Sequence, residues 1–222
     1  MSTPPERITL DPGAPTCPSV LARAAEVVGV SSLQAIGSIG ALDILAQPLL
    51  GYFCSSRCPG SVILRAYDLA RELRHLGIPV VSGFHSSIER ECLRILLRGQ
   101  QPIVLCAARS LARRRIPADW RQPIADGRML ILSPIAGNVH RPTGEHAAIR
   151  NMFAADLAGA VLVAHAAPGS RVERLCAAIR ERRQPLLTVD DPANGELVAQ
   201  GAHPVSAATV GVWWRRARSA AG

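Results

Sequence analysis

Pro48-Leu-Leu-Gly-Tyr-Phe-Cys-Ser-Ser-Arg-Cys-Pro-Gly60, an amphipathic run from Val62 to Leu76, and Ile78-Pro-Val-Val-Ser82 make one unit of a pattern that continues to Pro185. Each unit is a short apolar strand, a turn of small residues and a helix. Continuous apolar runs bounded by turn residues read as strands buried on both faces. The first helix has apolar residues at 62, 66, 69, 70, 73 and 76, and Gly77 ends it. Further strands are predicted at Pro102–Cys106, Met129–Ser133, Gly159–Ala164 and Pro185–Val189. Ile88, Cys92, Ile95 and Leu96 mark one intervening helix, 144–157 a second, and Val172, Leu175, Cys176 and Ile179 a third, capped by Ser170. Alternating strands and helices of this kind predict an α/β fold, a Rossmann-like, doubly wound, mainly parallel sheet with helices on both faces. The chain divides into a lead-in over 1–47, the α/β domain over 48–208 and a basic aromatic tail over 209–222. Within the lead-in, 1–18 reads as irregular, 21–30 as a short helix and 33–45 as a Gly-punctuated connector. The segment 109–128 shows little apolar period, 194–200 reads as a short helix and 201–204 as a turn.

Three turns sit where a parallel sheet holds an anion: Ser55 to Gly60, Ser82 to Ser87 and Ala167 to Ser170. Helix N-termini offer N–H groups and the positive end of the helix dipole to phosphate. Ser55, Ser56 and Arg57 in the first turn supply hydroxyls and a guanidinium. Ser82, Gly83, Ser86 and Ser87 stand in the second, where Gly83 permits close backbone approach. Gly169 and Ser170 stand in the third. These turns predict a phosphate-bearing ligand and leave nucleotide and nucleic acid both open.

Every one of the 25 basic residues is arginine, and the formal net charge is +8. Between Arg90 and Arg128, nine arginines stand against Glu91, Asp119 and Asp126, a local balance of +6. Three more arginines lie at 215, 216 and 218, beside Trp213 and Trp214. Clustered arginine suits a phosphate backbone, and the tail could either stack on bases or pack its tryptophans on the parent domain. No run approaches about 18 apolar residues, so no membrane partner is expected, and residues 1–20 do not look like a signal peptide. Cys92, Cys106 and Cys176 read as buried hydrophobes, and the Cys54–Cys58 spacing lacks the second pair a zinc site needs. Reduced thiols fit the expected cytoplasmic compartment.

Neither GxGxxG nor GxxxxGK[ST] occurs, which counts against classical nicotinamide binding and nucleotide hydrolysis. His85, His140, His146 and His165 are scattered, Glu89, Glu91 and Glu145 lie near helix starts, and no catalytic set, metal site or cofactor is predicted.

The order of turns resembles the DNA-processing protein A (DprA/Smf) family over residues 31–205. Leu33-Gln-Ala-Ile-Gly37 to Leu45 is similar to the family's lead-in, and Gly51-Tyr-Phe-Cys-Ser-Ser-Arg57 to its strand ending in Gly-Ser/Thr-Arg. Val80-Val-Ser-Gly83 with Ile88-Glu89, Ile131-Leu-Ser133, Ile149-Arg-Asn151, Pro168-Gly-Ser170 and Gly201-Ala202 stand where the family has its later motifs. The chain departs from the pattern at Ser87-Ile88-Glu89 (Gly-Ile-Asp in the family), Leu93, Pro134, Met152 and the residues after Ser170. It has no room for the family's C-terminal winged helix and only a stub of its N-terminal helical domain. The resemblance implies single-stranded DNA as ligand, with Arg57, Arg150 and Arg141 holding phosphates and Asn151 beside them. It also implies a homodimer, a RecA-type recombinase as partner, and a role in recombination, transformation or DNA uptake. The alternative is a nucleotide-sensing domain of the wider SLOG superfamily or, less favoured, a nucleotide hydrolase. For the latter, Pro168-Gly-Ser-Arg-Val-Glu173 keeps fragments of a related motif, with Glu173 its one candidate acid.

Overall fold

The computed structural model describes residues 6–28, 35–112, 115–135, 137, 139 and 141–219. Asn138 and His140 of the polar loop, Arg113 and Arg114 of the arginine segment, and the start of the predicted connector lie outside the described residues. The strands are β1 (Arg7–Leu10), β2 (Ile36–Ile39), β3 (Leu50–Cys54), β4 (Val80–Ser82), β5 (Ile103–Cys106), β6 (Met129–Ser133), β7 (Ala160–His165), β8 (Leu186–Val189) and β9 (His203–Val205). The α-helices are α1 (Ser19–Val27), α2 (Gly60–His75), α3 (Ser87–Leu97), α4 (Ala118–Ala125), α5 (Gly144–Asp156), α6 (Arg171–Glu181), α7 (Gly195–Ala199) and α8 (Ala207–Ser219). The architecture is the expected mainly parallel, Rossmann-like α/β fold.

Two compact units make up the chain. The first comprises 1–47, 81–83 and 102–157. In it β1 runs antiparallel to β2, β2 antiparallel to β6, and β5 parallel to β6 with Ile103 opposite Met129 and Cys106 opposite Leu132. Helix α1 packs on α5, where Leu21, Ala24, Phe153 and Ala154 are fully buried. Arg23 on α1 pairs with Asp156 at the end of α5 at 3.4 Å.

The second unit comprises 48–80, 84–101 and 158–222. Its strands β3, β7, β8 and β9 run parallel in that order. The β3–β7 register shifts between Phe53 and Cys54, so that Cys54 pairs with His165. Such a bulge re-aims the strand end where the β3–α2 turn begins. Helix α2 buries Val62, Ala66, Leu69, Ala70 and Leu73, and α6 buries Val172, Leu175, Cys176 and Ile179, the face its spacing predicts.

Some elements differ from the sequence reading. Residues 7–10 and 36–39 form strands where an irregular lead-in and a connector were expected. Strand β1 is exposed along most of its length and β2 interposes Gly37 and Ser38 between isoleucines, so neither shows an apolar run. Helix α4 carries Pro123 inside it and buries only that residue and Ile124. Residues 203 and 204, expected in the 201–204 turn, form the strand β9 with Val205, where Pro204 is tolerated because an edge strand needs fewer ladder donors.

The tail is a helix docked on α2. A side chain at Gly211 would bring its Cβ within 2.6 Å of Leu76 Cδ1, so α8 approaches the end of α2 closely at that position. Trp214 is 6% exposed and cannot stack on a base from that position, whereas Trp213 is half-buried. Trp214→Ala is therefore expected to lower the unfolding free energy by about 3–5 kcal/mol in a urea titration. A change within about 0.5 kcal/mol, the range of ordinary surface substitutions, would show that α8 is not docked.

Candidate functional site

The loops after β3 and β7 are stitched together by one hydroxyl. Ser55 N donates to His165 O at 2.9 Å, extending the β3–β7 pairing by one residue. Ser55 Oγ accepts from Ala167 N and donates to Ser170 Oγ, both at 3.0 Å. Ser170 Oγ in turn caps α6 by accepting from Glu173 N at 3.1 Å. Two helix N-termini, α2 and α6, thus start beside neighbouring parallel strands, the place where open α/β sheets take ligands.

The next strand end is held in the same unit. His165 Nδ1 lies 2.8 Å from Asn194 Oδ1, and Asn194 Nδ2 donates to Ala164 O and Val189 O, each at 2.9 Å. Because the Asn194 amide nitrogen serves both carbonyls, Oδ1 is its acceptor and His165 Nδ1 carries the proton. Asn194 is 1% exposed and clamps the ends of β7 and β8. Nothing in the sequence singled it out.

Glu89 is the other hidden organiser. It is 5% exposed, and its Oε1 accepts from Cys54 N at 2.9 Å. Its Oε2 accepts from His85 N at 2.6 Å and Ser86 N at 3.1 Å, while Ser86 Oγ accepts from Glu89 N. The Ser86-x-x-Glu89 box is legible in the sequence, but the bond to the end of β3 is not. The sequence reading gave Glu89 only a dipole role.

These bonds decide which amides remain for a ligand. At α3 the Glu89 carboxylate occupies the N–H groups of His85 and Ser86. At α6 the Glu173 carboxylate accepts from Gly169 N at 2.7 Å. Glu173, the one acid that favoured a hydrolase, is thereby engaged in its own helix cap. Helix α2 differs: Pro59 precedes it, no side chain caps its first turn, and that turn contains no acidic residue. Ser56 and Arg57, just ahead of it, are exposed.

The expected site residues therefore separate into two sets. Ser56, Arg57, Ser87, Arg141 and Gly169 are exposed and Ser170 is half-buried. Ser55, Ser82, Ser86, Arg150 and Asn151 are buried. Arg150, expected to hold a phosphate, is in the buried set. In the first unit, Arg150 on α5 is 4% exposed, and Nη1 donates to Cys106 O at 3.4 Å. Its guanidinium lies against Gly83, where any Cβ would collide with it. Gly83 is needed for that packing. His146, also scattered in the sequence, has a structural place: its Nδ1 accepts from Thr143 N and its N–H donates to Thr143 Oγ1, closing the cap of α5.

Comparison with known proteins bears on the fold. No protein-family model and no curated protein matches the chain. Among solved structures it is similar to DNA processing protein A from Helicobacter pylori, described for its single-stranded DNA binding mode. The TM-score is 0.73 at 18% identity, over 95% of this chain and 96% of that one. The chain has the fold of DprA. The Streptococcus pneumoniae DprA structure agrees, with a TM-score of 0.70 at 18% identity over 90% of this chain and 71% of that one. A molybdenum cofactor carrier protein from Chlamydomonas reinhardtii is a more distant likeness, with a TM-score of 0.55 at 12% identity over 78% of this chain and 99% of that one.

Removing the Glu89 carboxylate leaves three backbone donors without their acceptor, at about 1–3 kcal/mol for each buried group. Glu89→Ala is expected to cost at least about 3 kcal/mol in all and to speed hydrogen exchange at Cys54, His85 and Ser86. Unchanged exchange at those amides would refute the assignment. Separately, Gly83→Ala is expected to destabilise by about 1–3 kcal/mol, as overpacking does, and to cost less in an Arg150→Ala background. Strictly additive costs in this double-mutant cycle would show that the two groups do not meet.

Proposed function

We propose that the protein binds single-stranded DNA through its phosphates, with the β3–α2 turn as the principal contact. The observation that carries this reading is the uncapped start of α2 beside Ser56 and Arg57. The starts of α3 and α6 in the same unit are closed by their own carboxylates. An exposed guanidinium beside open first-turn amides suits a phosphodiester in charge and geometry. The likeness in fold to a DprA described as binding single-stranded DNA supports the choice of ligand. Gly169, Ser170 and Ser87 extend the contact within the second unit, and Arg141 supplies a phosphate contact in the first. Ser55 and Ser86 position these groups within the second unit, and Ser82, Arg150 and Asn151 are buried packing residues of the first. Among the described residues no helix is long and apolar enough to cross a membrane. Homodimerisation, a RecA-type recombinase as partner, a cytoplasmic role in recombination or transformation, and the 48–208 domain boundary are the finer parts of the same proposal.

A second reading, a SLOG-type pocket for a free nucleotide, draws on the same Ser55–Ser170 arrangement at neighbouring strand ends. It is supported by the fold likeness to the cofactor carrier protein. The two readings separate on length dependence, because a strand gains contacts as it grows and a mononucleotide does not.

Fluorescence anisotropy on an oligo-dT ladder over a salt series tests the proposal. Affinity should rise with length, and log affinity should fall with log salt by about 0.7 per phosphate neutralised. Arg57→Ala should weaken binding and lower the magnitude of that slope by about 0.7. Affinity no better than a neutral control protein's would remove the proposal. Saturation by a mononucleotide, with a thermal shift of several degrees, would favour the second reading.

A further inference from the structure

His165 is the last residue of β7 and is half-buried. Its backbone is placed by the neighbouring strand, because Cys54 is its β3 partner and Ser55 N donates to His165 O at 2.9 Å. The residue therefore stands one strand over from the turn that carries Ser56 and Arg57, a step of about 4.8 Å in a sheet. Its ring is oriented from the other side. The buried Asn194 amide donates to Ala164 O and Val189 O, which leaves Oδ1, 2.8 Å away, for the Nδ1 proton. A neutral imidazole whose Nδ1 carries the proton has a lone pair at Nε2. That Nε2 has no partner among the described residues, whereas neighbouring acceptors are engaged. Ser55 Oγ accepts from Ala167 N, a Glu173 oxygen from Gly169 N, and the Asp191 carboxylate bonds Ala193 N and Arg65.

We propose that His165 reads a base: its Nε2 accepts a hydrogen bond from an N–H on the Watson–Crick edge of an unpaired nucleobase. The base belongs to the strand whose phosphate is held at the start of α2, so the assignment rests on the phosphate reading of the β3–α2 turn. Chemistry selects the base. A phosphate oxygen is an acceptor, as Nε2 is, and the two repel. The diester linkage and deoxyribose of an internal nucleotide carry no donor, so the bases alone supply one.

The contact gives the site a preference that phosphate contacts alone do not. Watson–Crick edges are open on an unpaired strand and already bonded in a duplex, so an acceptor placed to meet them favours single strands. Asn194 acts through His165 and is a positioning residue: by holding the proton on Nδ1 it keeps the outward nitrogen an acceptor. In oligo-dT the donor is the thymine N3–H, which a methyl group can replace without altering a phosphate.

Anisotropy with the full-length protein compares oligo-dT with the same oligomer methylated at every thymine N3. Methylation should weaken wild-type binding about two- to tenfold, the range of one net hydrogen bond. His165→Asn keeps a side-chain N–H for Asn194 and removes Nε2. It should bind both oligomers equally, with the salt slope of the wild type. Histidine-ring nitrogen NMR of the unbound protein in mildly alkaline buffer checks the tautomer without any ligand. The ring whose signals vanish in His165→Asn should be protonated at Nδ1 and bare at Nε2. A proton on Nε2, or a preference for unmethylated oligo-dT that survives in His165→Asn, would overturn the proposal. So would a salt slope lowered by about 0.7 in that variant, because it would put a phosphate at His165. If wild-type protein binds both oligomers equally and with a salt dependence, the base contact falls and the phosphate reading stands. If it binds neither, both fall.

Discussion

The buried carboxylate of Glu89 fixes the end of β3 by accepting the Cys54 amide at 2.9 Å while its other oxygen closes the start of α3. A buried carboxylate is costly unless it is fully hydrogen-bonded. Here three backbone N–H groups supply that compensation, and hydrogen bonds to a charged group are worth about 1.5–3 kcal/mol each. The bond does more than stabilise. With Cys54 held, Ser55 is delivered to the loop after β7, where its hydroxyl joins Ala167 and Ser170. From His165 the same chain of bonds passes through Asn194 to the end of β8. Three successive strand ends of the second unit are thus set by side chains rather than by the sheet ladder alone.

That arrangement changes how the helix termini can act. A helix N-terminus attracts an anion because its first N–H groups have no partner within the helix. Where a glutamate has already filled that position, as at α3 and α6, an incoming phosphate would have to displace a covalently tethered carboxylate. Tethering gives the carboxylate a high effective concentration, and a free anion competes poorly with it. Selectivity among the three turns therefore comes from where the chain places acids. Pro59 at the start of α2 offers neither a hydroxyl nor a carboxylate, so the dipole there is unanswered by the protein.

The sequence made the strands and amphipathic helices of the core legible because burial on both faces or along one stripe leaves a periodic record. Met129–Ser133 and the buried positions of α6 coincide with the observed elements. Elements at sheet edges left no such record. Strand β1 is mostly exposed, and β9 is His203-Pro-Val205, so composition there reflects solvent rather than the core. The site was legible as three turns and not as a network. Its defining contacts, Cys54 to Glu89, Ser55 to Ser170 and His165 to Asn194, span 35, 115 and 29 residues, and nothing in local periodicity encodes a bond at such separations.

The arginine count illustrates the same limit in electrostatic terms. A formal charge of +8 suggests a broad positive field. Yet Arg65 pairs with the buried Asp191, Arg71 with Asp68 and Arg94 with Glu91, and Arg150 is sealed against Gly83. Salt screens exposed charges beyond about 8–10 Å, so arginines that are paired or distant add little at any one turn. What distinguishes Arg57 is its place beside the one helix start among the three turns that no carboxylate closes, with no ion pair of its own among the described residues. A guanidinium in that position can meet a phosphate with two parallel N–H bonds while the α2 amides meet its remaining oxygens. On the proposed reading, phosphate binding at this turn depends on the position of one charge relative to one open dipole, and the remaining positive charge governs mainly the rate of approach.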